Sequence, residues 1–85
     1  ARRGRSSLDV SKLPQVNGAR LLRALRRAGF RELHGKGSHV FVVHEDDEAR
    51  VAVIPMHKGA AVPPGTLRAI LRGARLSADE LRDLL

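Results

Sequence analysis

The chain has 85 residues, with sixteen Lys or Arg against nine Asp or Glu, no cysteine, and a formal net charge of +7. A chain of that length is one domain with a modest core. The lack of thiols excludes disulfide staples and thiolate-held zinc, and no apolar run reaches the roughly 18 residues that a membrane span needs.

In chain order, residues 1–12 carry Arg2, Arg3 and Arg5 with little periodicity and read as a flexible basic arm, with one domain over residues 13–85. The arm has no apolar segment behind it and is not expected to be a signal peptide, so a soluble, cytoplasmic protein is expected. A helix over about 18–28 is signalled by Asn17 as N-cap and Gly29 beyond its end. At 100° per residue, Leu21, Leu22, Ala24, Leu25 and Ala28 form one arc, and Arg20, Arg23, Arg26 and Arg27 the other. The period then changes. Residues 30–34 read as a strand, 35–37 as a turn, 38–43 as a second strand, 44–49 as an acidic hairpin loop, and 50–55 as a third strand ended by Pro55. A Gly- and Pro-rich loop over 56–65 precedes a helix over 66–74 with Arg68, Arg72 and Arg75 beside its apolar face. Ser77-Ala78-Asp79-Glu80 is a capping box that opens a short last helix. The order α-β-β-β-α, with an extra C-terminal helix, predicts an α+β fold: a three-stranded antiparallel sheet with helices on one face.

Most of the positive charge is arginine, which suits bidentate contact with phosphate, so the composition points to an anionic polymer. Phe30 and Phe41 are the only aromatic rings besides histidine. That counts against a broad platform for stacking single-stranded bases and favours contact through the backbone.

Four histidines carry the candidate chemistry: His34, His39, His44 and His57. His44 and the acidic run Glu45–Glu48 resemble a metal-ligand cluster, but neighbouring residues in a hairpin tip diverge, and a solvated turn explains them equally. Ser38 beside His39 is no hydrolase pair, because adjacent strand residues point to opposite faces. Gly35-Lys36-Gly37-Ser38 would cradle a phosphate or simply make a tight turn. In an antiparallel meander the start of the second strand lies near the end of the third, so His39 and His57 are expected at one end of the sheet, with Lys36 and Lys58. Two imidazoles and two cations suit RNA strand cleavage, which needs a base for the 2′-OH, an acid for the 5′-oxygen, and positive charge for the phosphorane. A pair of ordinary surface histidines is the alternative.

Five stretches, taken together, resemble the HicA (YcfA-like) toxin family of type II toxin–antitoxin systems: Leu25 to Phe30, Gly37-Ser38-His39-Val40-Phe41, Pro55-Met56-His57-Lys58-Gly59, Gly65 to Leu71, and Leu76 to Leu81. The resemblance runs from about Leu13 to the C-terminus. It implies a double-stranded-RNA-binding-domain-like (dsRBD-like) fold and an mRNA interferase: an endoribonuclease that cuts mRNA without metal or other cofactor. It also implies His39 as the catalytic histidine and neutralisation by a HicB-type antitoxin, the toxin being a monomer when free and part of a hetero-oligomer when bound. His57, Lys36 and Lys58 as catalytic support, and Arg20, Arg23, Arg27, Arg68 and Arg72 as RNA contacts, follow from the residue reading and not from the family. A non-catalytic RNA-binding module of the same fold is the alternative, and a domain whose chief contact is a protein is a third reading. The second strand leaves one question open: His39, Phe41 and Val43 share a face, Val40 and Val42 share the other, and neither is polar. If the His39 face is the open one, its apolar residues need cover, which an antitoxin would supply.

Overall fold

The computed structural model describes residues 13–85; the expected basic arm of 1–12 lies outside the described residues. The elements are α1 (Gly18–Arg27), β1 (Phe30–Lys36), β2 (His39–His44), β3 (Val51–Pro55), α2 (Pro64–Ala74) and α3 (Ala78–Leu84). The strands form one antiparallel meander in the order β1-β2-β3. This is the expected α+β architecture. Among the described residues no helix is long and apolar enough to cross a membrane.

The element edges differ from the expected ones for local reasons. β1 runs on through Gly35 to Lys36, because Lys36 pairs with His39 across a two-residue loop, Gly37-Ser38. Gly37 takes φ +62°, the left-handed conformation that such a short hairpin demands and glycine supplies. α2 begins two residues early, at Pro64, since proline is pre-set for the first helical turn and its missing N–H costs nothing there. The capping box on α3 forms in full: Glu80 N–H donates to Ser77 Oγ, and Ser77 N–H to Glu80 Oε1.

The helices cover one face of the sheet. α1 packs against β1 and β3, α2 against β3, and α3 against α1. Val42, Ala52, Ile54 and Phe30 meet Leu21, Leu25, Leu67, Ile70, Leu71 and Leu81 in the core, with Val40 at its margin. Alternation along the strands therefore answers the open question. Val40 and Val42 face inward, and among the described residues His39 and Phe41 lie on the face that the helices leave open, where Val43 is nonetheless buried. The β3 positions on this face follow: Val53, opposite Phe41, is 40% exposed, and Val51, opposite Val43, is 47% exposed.

α2 lies so close to β3 that a Cβ on Gly73 would sit 2.5 Å from the Val51 carbonyl oxygen. Gly73→Ala is expected to destabilise the protein by about 1 kcal/mol, overpacking being partly offset by alanine's better helix propensity. A lower urea midpoint at unchanged slope would register it.

Candidate functional site

His39 opens β2, directly after the Gly37-Ser38 turn, and Pro55 closes β3 opposite it. The chain is then held at its exit, where Met56 N–H donates to the Ser38 carbonyl at 2.6 Å. His57 follows, and Ala60 N–H bonds back to the His57 carbonyl at 3.1 Å, so the histidine starts a tight turn. Val62 N–H donates to the Val16 carbonyl and Ala61 bridges Asn17, which pins this loop to the segment before α1. These constraints bring the His39 and His57 rings to a centroid separation of 6.4 Å, edge to face. The juxtaposition expected from topology is present.

Both rings are exposed, and among the described residues neither has a hydrogen-bond partner. The contrast with His44 is informative. His44 Nε2 donates to the Ala28 carbonyl at 3.0 Å while its Nδ1 accepts from Asp46 N–H at 3.1 Å, and its ring meets Phe30 edge-on. With both nitrogens engaged, it is a structural link between the end of α1 and the acidic hairpin. The ligand cluster considered for residues 44–48 does not form: among the described residues no three His, Asp or Glu converge to hold a metal ion.

Among the described residues, two shallow cavities adjoin His57. One, of about 430 Å³, is lined by His39, Val53, Pro55, His57, Pro63 and Thr66. The other, of about 310 Å³, is lined by Asn17, Gly18, Ala19, Met56, His57, Lys58 and Gly59. The first turn of α2 thus borders both histidines, and that of α1 borders His57. First-turn N–H groups lack intrahelical partners and carry partial positive charge. Among the described residues no carboxylate lines either cavity. The acidic hairpin sits at the far end of β2, about 17 Å away at 3.4 Å per residue, where Asp47 accepts a hydrogen bond from Ala49 N–H and pairs with Arg75.

The cations divide by position. Lys58 lines the second cavity and is exposed, and Lys36 occupies the ladder position opposite His39. Arg20 lies in the opening turn of α1, at the histidine end, and Arg68 in the second turn of α2. Arg23 lies a turn further along α1 and Arg72 in the last turn of α2, and all four are exposed without an ion-pair partner among the described residues. Arg27 is at the other end of α1 and donates to the Leu84 carbonyl at 2.6 Å, tying down α3. Arg26, outside the predicted set, pairs with Glu32.

Three contributors were not placed beside the histidine pair from the sequence, although His34 was among the four candidate histidines. Thr66 and Asn17 enter through helix starts that fold against the loop. His34 enters through a register shift between Glu32 and His34, which leaves Leu33 as the extra residue and sets His34 opposite Phe41 on the open face. Their rings lie 5.3 Å apart.

No curated protein sequence matches the chain. A family model described as the HicA toxin of bacterial toxin–antitoxin systems matches residues 18–76. The match spans α1, the whole sheet, the His57 loop and α2. By that match over more than half its length, the chain belongs to the HicA toxin family of bacterial toxin–antitoxin systems.

Proposed function

We propose that the protein is the toxin endoribonuclease of its pair, cutting mRNA at the His39–His57 site. The observation that carries this reading is the pair itself: two exposed imidazoles 6.4 Å apart, whose nitrogens are not taken up by the fold. One imidazole removes the 2′-OH proton as that oxygen attacks phosphorus. The other protonates the departing 5′-oxygen as the P–O5′ bond breaks. The products are a 2′,3′-cyclic phosphate and a free 5′-OH, and the proton count balances. Lys58, Lys36 at its ladder position, and the partly positive first turns of α1 and α2 offset the charge that builds on the phosphoryl oxygens. Arg20 and Arg68 extend the contact to neighbouring phosphates, with Arg23 and Arg72 further out. Arg27 contributes to the general field while holding α3. A HicB-type antitoxin is the neutralising partner, with the toxin monomeric when free.

The test is incubation of the purified protein with unstructured RNA, with and without EDTA, followed by end-group analysis. Cleavage that persists in EDTA and leaves 2′,3′-cyclic phosphate ends supports the reading. RNA that is retained in a salt-dependent manner but left intact would make the protein a binding module. Loss of cleavage in EDTA would replace metal-free acid–base chemistry with a metal-assisted route.

A further inference from the structure

We propose that Phe41, His34 and Val53 form a base subsite that holds one unpaired nucleobase next to the phosphodiester at His39 and His57. The inference rests on the RNA-cleaving reading of the histidine pair and assigns the specificity-determining surface beside it. His39 and Phe41 are two residues apart on one strand face, about 7 Å along the sheet, a distance that a single nucleotide bridges. Val53 stands opposite Phe41 in the ladder and also lines the cavity shared by His39 and His57, so the apolar surface and the histidine pair are continuous. His34 lies across from Phe41 with ring centroids 5.3 Å apart and planes tilted by 47°. The result is an aromatic step floored by Phe41 and walled by His34.

Several features favour a base as the occupant. The ladder positions on this face are Arg31, His34, Lys36, His39, Phe41, Val43, Val51, Val53 and Pro55, with no carboxylate among them. An apolar step set in a cationic, acid-free face matches a nucleotide, which has an apolar ring face and an anionic phosphate. The order of features, histidines and then aromatic step, follows the order of phosphate and base. Bases in a duplex are paired and stacked inside it, so only an unpaired or splayed base can reach the step. Single-strand surfaces use base–aromatic stacking in this way. The fold class suggests contact with duplex RNA through shape, whereas this face selects an unpaired base at the cut.

The test compares wild type, Phe41→Ala and Phe41→Leu on a pool of unstructured RNA, with the cut ends sequenced and kcat/KM measured on one good substrate. Phe41→Leu keeps the apolar volume, so its folding is secure while the ring is gone. Both variants are expected to cut about tenfold less efficiently and to lose base preference at a position flanking the cut, with equal melting temperatures for wild type and Phe41→Leu. A Phe41→Leu enzyme with unchanged efficiency and unchanged base preference would overturn the subsite. So would Phe41 variants that cut normally but escape inhibition by the antitoxin, since the face would then be a protein-docking surface. Failure of the wild-type protein to cut any RNA would instead overturn the underlying reading of the histidine pair.

Discussion

Replacing His39 with alanine is expected to slow RNA cleavage by about 10²–10⁴-fold, the usual contribution of a positioned acid or base. Stability should stay within about 0.5 kcal/mol of wild type. His39 is exposed and, among the described residues, its ring makes no hydrogen bond and one ring contact, to His57, so little stabilising interaction is lost. His57→Ala is expected to cause a comparable loss, because the second proton transfer loses its carrier. The double variant should be no slower than the slower single one, since residues that act as a unit are strongly non-additive. Initial rates, alongside thermal melts, decide the matter. His39→Ala cutting at the wild-type rate would remove it from the mechanism, and strictly additive losses would mean that the two histidines do separate jobs.

Gly18→Ala is expected to destabilise the fold by about 1–3 kcal/mol, the range for overpacking a close contact. It should also lower kcat by disturbing the histidine pair. Gly18 is buried at the first position of α1, and a Cβ there would collide with the Pro55 carbonyl oxygen and press on Met56 Sδ at 3.0 Å. Backbone atoms cannot turn aside as a side chain can, so the Pro55–Met56 segment must move. That segment carries the Met56-to-Ser38 hydrogen bond that leads into His57. A control is available in Gly65 at the start of α2, where an added methyl group meets no atom within 4 Å. Gly65→Ala should be neutral or stabilising by up to about 1 kcal/mol. Urea titrations with single-turnover rates on the two variants separate the effects. A Gly18→Ala protein with native stability and rate would show that α1 does not set the position of His57.

The capping residues show what local chemistry can specify. Asn17 Oδ1 accepts from Arg20 N–H, and the Ser77–Glu80 box closes on itself, because each signal acts within one turn. Topology was also enough to put His39 near His57, since a three-stranded meander has only one end where both can lie. Other features escaped for stated reasons. The sequence around Leu33 has no mark of a bulge, and one extra residue moves everything after it to the other face, so His34 could not be assigned to the site. His44 and His57 look equally free on paper. One is fully engaged and the other is open only because Ala28 and Asp46 lie within reach of the first.

By itself, then, the sequence determined the order of elements, their capped ends, the +7 charge and the two motifs that carry His39 and His57. Periodicity, turn chemistry and composition are properties of short segments and survive without a fold. The tertiary structure alone decided which face of β2 is covered, because both faces of HVFVVH are apolar and only the placement of α1 and α2 distinguishes them. It also decided which cations lie near the histidines and which hold the fold together. Those outcomes depend on contacts between residues far apart in the chain, such as Gly18 on Pro55 and Arg27 on Leu84.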